Sequence, residues 1–167
     1  MKTTKKGFTL IELIVVIAII GVLAALLVPN MLGYVKKSKI QAANSAASEY
    51  CKAVSSAIAD VEEEDKDVAD GTLKCTNGTF STSSGTETVS YPALKDYVKT
   101  YTDITSNSNF QCCIKGGTAI YGAAKSGKYF GTYPKVYSQK NYPSNCSITI
   151  ALEKASSQYV KKHGAIS

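Results

Sequence analysis

The side chains with the widest chemical reach are five cysteines, Cys51, Cys75, Cys112, Cys113 and Cys146. Five thiols can form disulfides with one left over, or hold zinc as thiolates. Neighbours in a strand face opposite ways, so one of Cys112 and Cys113 faces the helix that carries Cys51 and the other faces outward. Spacing leaves open which thiols pair and which stay free. A bridge from that helix, or from the loop after it, to a sheet would stabilise the domain by about 2–4 kcal/mol. The metal alternative is a thiolate site of Cys51, Cys75 and Cys113, but the spacing matches no finger pattern and no metal is assigned.

Other constellations point away from catalysis. Gly122, Gly127 and Lys128 have the spacing of a phosphate loop, yet Tyr129 replaces the Ser or Thr that would hold magnesium, and no helix pattern follows. A serine nucleophile needs a base, and the one histidine, His163, sits near the end of the chain. Residues 60–70 hold seven acids and one lysine. Calcium would suit them, but Asp65, Asp67 and Asp70 miss the Asp-x-Asp-x-Asp-Gly spacing, so the expectation is a solvated loop. No cofactor and no enzymatic activity are expected.

One surface has binding character. Between Asp103 and Glu153 there is no acid, while Lys115, Lys125, Lys128, Lys135 and Lys140 alternate with Tyr121, Tyr129, Phe130, Tyr133, Tyr137 and Tyr142. Lys125, Lys128, Tyr129, Tyr133 and Lys135 are its centre. Such interleaving suits stacking on single-stranded DNA or on carbohydrate. The plainer reading is a solvated sheet face with half-packed tyrosines. A third reading places this basic stretch against the acidic loop of a neighbouring copy.

Composition narrows the class. The chain has 167 residues, 44% hydrophobic, with 19 basic residues, all lysine, against 13 acids. That suits one folded domain with an appendage, and the lysine excess is too dispersed for a dedicated nucleic-acid binder.

The appendage is the N-terminal run. From Phe8 to Val28 only Thr9, Glu12 and Gly21 interrupt the apolar side chains, and as a helix this run covers roughly 31 Å, the thickness of a bilayer core. It is too long for a secretory signal, and Pro29 and Asn30 follow where a small-residue cleavage site would stand. A plain membrane anchor survives this test, except at Glu12. A carboxylate in a spanning helix costs on the order of 2.5–3.5 kcal/mol. It calls for a partner, and none is expected in its own helix.

The segment Lys5-Lys6-Gly7-Phe8-Thr9-Leu10-Ile11-Glu12 resembles the class III leader of type IV pilins and related pseudopilins. The resemblance implies a leader of residues 1–7, cut after Gly7 by a prepilin peptidase, with methylation of the new amino terminus on Phe8. It implies that Glu12 pairs with the terminal amine of a neighbouring subunit, and that Gly21 and Pro29 weaken the helix for assembly. The implied product is a homo-oligomeric helical filament used in adhesion, motility or aggregation. Its subunits start as single-pass proteins of the cytoplasmic membrane and end on the cell surface, moved by a separate assembly machinery. A secretion pseudopilin or a DNA-uptake pilin shares these features. A non-polymerising anchored binding domain is the reading from a different class.

These residues need elements to hold them. After Pro29 the pattern becomes one-sided: Leu32, Val35, Ile40, Ala43, Ala47, Tyr50, Val54, Ile58 and Val61 form a stripe, with Asn44, Glu49 and Lys52 assigned to other faces. One helix over 8–60 would be roughly 80 Å long, bent at Pro29. Residues 71–90 read as a polar loop with a short strand around Phe80, and 91–100 as a helix. Strands are expected at 109–115, 118–121, 128–133 and 146–151, with a terminal helix around Leu152, Ala155 and Tyr159. The predicted class is α+β: a long N-terminal helix, apolar first and amphipathic second, on a small mostly antiparallel β-sheet. Its segments are 1–7 (leader), 8–29 (apolar helix), 30–62 (amphipathic helix) and 63–167 (headgroup).

Overall fold

A computed structural model of the chain describes residues 7–64, 68–83, 91–134 and 136–164. The order is α1 (Leu10–Glu63), β1 (Gly71–Thr76), β2 (Thr79–Ser83), α2 (Tyr91–Tyr101), β3 (Phe110–Lys115), β4 (Thr118–Ser126), β5 (Tyr129–Tyr133) and α3 (Ile148–His163). The chain divides into two compact units, one ending at Lys36 and one beginning at Lys37.

Among the described residues the first unit is helical from Leu10 onward. Its apolar side chains are exposed, from 46% at Val16 to 77% at Leu10. The helix continues through Pro29, which gives no N–H to the ladder. Leu32 and Val35 are exposed along with this run. The buried stripe therefore begins at Ile40, later than the sequence pattern suggests.

The second unit is built on a five-stranded antiparallel sheet in the order β2-β1-β3-β4-β5. One cluster gathers Ala47, Cys51, Val54, Ala57, Ile58 and Val61 of α1 with Leu73, Cys75, Phe110, Cys112, Ile114, Ala119 and Ala124 of the strands, and Leu94 and Val98 of α2. Phe110 is at its centre, stacked on Tyr50 at 4.3 Å between ring centroids and meeting Phe80 edge-on at 6.0 Å. A second cluster joins Ile40, Ala123, Tyr137 and Ala151. A bulge lets β4 serve the first of these at both ends. The register shifts at Cys113/Ile114, Ile120 is left unpaired, and so Ala119, Gly122 and Ala124 are all buried although their spacing is not strictly alternate.

Three expectations are corrected. Residues 71–83 form a hairpin rather than a polar loop, turning at Asn77-Gly78, both with positive φ of 50° and 75°. Leu73 and Cys75 alternate inward along β1. Residues 146–151 are not a strand. Ser147 instead caps α3, its hydroxyl accepting from Ile150 N at 3.3 Å, and the β-branched run at 148–150 forms the first turn. Asn44 does not face solvent but is 1% exposed. Its Oδ1 accepts from Thr132 N at 3.1 Å and Tyr137 N at 3.2 Å, while its Nδ2 donates to Tyr137 O at 2.8 Å.

Asn44 also protects a sheet edge. In β5 the N–H groups of Phe130 and Thr132 do not pair with β4 but bond to the Tyr142 hydroxyl at 2.7 Å and to Asn44. With these two donors satisfied, the edge offers fewer free N–H groups to another strand. The close fit requires Gly131, where a Cβ would collide with the backbone of Ala43 and Asn44.

Candidate functional site

The N-terminal unit presents one polar group of note. Thr9 precedes the first helical residue, and Glu12 N donates to its hydroxyl at 3.4 Å. In return the Glu12 carboxylate accepts from Thr9 N at 2.8 Å and Thr9 Oγ1 at 2.6 Å. This reciprocal pattern is a capping box, so Thr9, just before the helix, supplies hydrogen bonds to Glu12. The partners are neutral donors, so the negative charge itself remains uncompensated by them. A Cβ on Gly7 or Gly21 would meet nothing within 4 Å. Packing inside the subunit therefore demands glycine at neither position. By length and composition α1 is able to cross a membrane, and none of its most apolar window is buried within the chain.

The headgroup thiols have separate surroundings. Cys51 Sγ on α1 and Cys112 Sγ on β3 are 3.0 Å apart, both fully buried. Burial pushes the Cys112 thiol well above its ordinary value, and the neighbouring Cys51 adds to the rise. Cys75 Sγ donates to Ser108 O at 3.6 Å. Cys113, half-buried, lies next to Tyr121, its partner across β4. Cys146 lies beside Tyr137 and Tyr142, with its thiol raised by burial. The strand alternation thus resolves the adjacent pair: Cys112 faces α1 and Cys113 does not. The trio Cys51, Cys75 and Cys113 is not brought together. Among the described residues no three His, Cys, Asp or Glu side chains could share a metal ion.

The lysine–tyrosine stretch is divided by packing. Lys125 and Lys128 are exposed, and Lys128 Nζ lies 5.6 Å from the ring centre of Tyr129. Tyr129 meets Tyr142 edge-on at 5.6 Å and packs on the second cluster. Tyr133 packs on the first cluster. Both residues are partly buried and serve the core in part. Lys135 lies outside the described residues. The phosphate-loop spacing falls across β4, a turn at Gly127 and β5, with no helix at its end.

The acidic segment is partly engaged. Tyr101 donates to Asp60 at 2.7 Å and Tyr97 donates to Glu64, tying α2 to the end of α1. Asp70 accepts from Gly116 N at 2.8 Å. Asp65 and Asp67 lie outside the described residues. His163 is in the last turn of α3 and stacks on Tyr159 at 4.5 Å.

An apolar helix capped by Thr9 and Glu12, continuing into an α+β domain without a catalytic cluster among its described residues, defines the class. Residues 2–28 match the prokaryotic N-terminal methylation motif. Over 158 residues the chain is 30% identical to the type IV major fimbrial protein FimA of Dichelobacter nodosus, covering 87% of this chain and 98% of that one. It is 44% identical over 59 residues to a fimbrial protein of Pseudomonas aeruginosa, covering 35% of this chain and 38% of that one. It is also 51% identical over 45 residues to the type II secretion system core protein G of Dickeya chrysanthemi, covering 27% of this chain and 29% of that one. No solved structure matches. The chain belongs to the type IV pilin family.

Proposed function

We propose that this pilin is a structural subunit of an extracellular type IV pilus, cut by a prepilin peptidase after Gly7, methylated on Phe8 and polymerised through residues 8–28. The filament would serve adhesion, surface motility or aggregation. Its partners are further copies of itself, the membrane before assembly, and the peptidase and assembly machinery.

The observation that carries this reading is the exposed apolar helix with a single carboxylate. In water each such side chain would gain roughly 1.5–3 kcal/mol from burial, so the run needs lipid or other helices around it. Moving it from lipid into a helix-lined core changes little, because lipid tails are as apolar as leucine. Apolar contact therefore cannot set the register between subunits. Glu12 can, if the methylated amine of a neighbouring Phe8 neutralises it. The Thr9 donors hold the carboxylate in place, and Gly21 and Pro29 supply points where the packed helix can yield.

The test is Glu12→Ala in the native host. Processing at Gly7 should continue while sheared surface filaments fall by about tenfold or more, as loss of an ion pair worth ~1.4 kcal/mol or more requires. Filaments unchanged in yield would rule out this role for Glu12.

A second reading, a secretion pseudopilin, is favoured by the match to core protein G. The fimbrial match over nearly the whole length of FimA weighs more. The DNA-uptake variant draws only on exposed Lys125 and Lys128, the latter over the partly buried ring of Tyr129.

A further inference from the structure

We propose that Cys51 and Cys112 are joined by a disulfide in the exported protein, fastening the headgroup portion of α1 to β3, while Cys75, Cys113 and Cys146 remain thiols. The two sulfurs are 3.0 Å apart, inside the roughly 3.5–4.0 Å at which even smaller non-bonded carbon atoms rest. The remaining step to a bond of about 2.05 Å is close to 1 Å.

The neighbourhood is shaped for this pair. Gly122 is the cross-strand partner of Cys112. A Cβ there would run into Cys51 Sγ, and would also lie 3.1 Å from Cys112 Sγ and 2.7 Å from Gln111 O. The missing side chain opens the slot in which the sulfurs meet. Each of the other thiols faces a different kind of group: a carbonyl for Cys75, phenols for Cys113 and Cys146. The bond would link positions 61 residues apart, so it would restrict the unfolded chain strongly.

The reaction is thiol–disulfide exchange with a protein or small-molecule disulfide outside the cytoplasm. The thiolate of one cysteine attacks a sulfur of the donor disulfide, forming a mixed disulfide and releasing a donor thiolate. The second cysteine thiolate then displaces the other donor sulfur. The two cysteines lose two protons and two electrons, and the donor gains both as two thiols. Because both sulfurs are fully buried in the finished fold, exchange occurs while the headgroup is folding, and the completed bond is shielded from reductant. The proposal rests on the exported location given above.

The test uses the full-length protein in whole native cells, quenched in acid and then alkylated with N-ethylmaleimide in denaturant without reductant. The expected result is three alkylated cysteines, a chain two hydrogens lighter than the thiol form, and a linked peptide pair containing Cys51 and Cys112. Cys112→Ser, treated identically, should show four alkylated cysteines, one more than the parent despite losing a cysteine. Counting in denaturant exposes every remaining thiol to the reagent in parent and variant alike, and the linked peptides show which cysteines are paired. Five alkylated cysteines in the parent, or a link between other cysteines, would overturn the proposal. The N-terminal peptide of the same digest reports separately whether cleavage at Gly7 took place, so failure of the disulfide and failure of the export reading give different results.

Discussion

At the scale of single residues, Asn44 has the largest structural task that its type did not announce. A polar residue among lysines and serines on a helix reads as solvated, because periodicity records only apolar positions. Its burial follows from partners far along the chain, the backbone N–H groups of Thr132 and Tyr137 and the Tyr137 carbonyl. Asn44→Ala leaves those groups buried without a partner and should destabilise the protein by about 3 kcal/mol. Urea unfolding of the full chain in detergent measures this. Tyr142 completes the same edge and carries a pH signature. Burial raises its phenol from 10.0 to about 12, against the opposing pull of the Phe130 N–H. A folded-state value above the unfolded one means the contribution is complete below pH 10 and is lost as pH rises towards 12. Phenolate absorbance should show this late step, and Tyr142→Phe should remove it at a cost of about 1 kcal/mol at neutral pH. The thiol pair shows the reverse case in legibility. Alternation in a strand showed that Cys112 and Cys113 part company, but not which of them meets Cys51, since that depends on the register between β3 and α1.

At the scale of elements, the long helix, α2, the β3–β4 hairpin and β5 are legible because period, proline placement and paired glycines agree. The first hairpin is hard to read although Asn77-Gly78 is a strong turn signal. Threonines and serines around it resemble a polar loop, while only Leu73 and Cys75 of β1 face the core. At 146–151 the apolar β-branched run outweighed the capping serine, and the cap decides. Ser147→Ala should therefore cost about 1 kcal/mol and fray the first turn of α3, seen as faster amide exchange at Ile148–Ile150. If exchange there is unchanged, the cap contributes nothing. The length of β4 is masked in the sequence because the bulge breaks its alternation.

At the scale of the whole molecule, the two units divide the work. The unit from Lys37 onward has its own core and uses its own side chains to bond the outward N–H groups of β5. From Leu10 to Lys36 the other unit satisfies its backbone by being helical and leaves its apolar side chains exposed. The N-terminal motif around Gly7, Phe8 and Glu12 is legible because it is carried by spacing along the chain and does not depend on tertiary contacts. The most direct test is the intact mass and N-terminal peptide of protein sheared from the native cell surface. The account predicts a chain beginning at methylated Phe8 in the sheared fraction. A chain still carrying the residues before Phe8, and confined to the membrane, would contradict it and leave an anchored domain that does not polymerise.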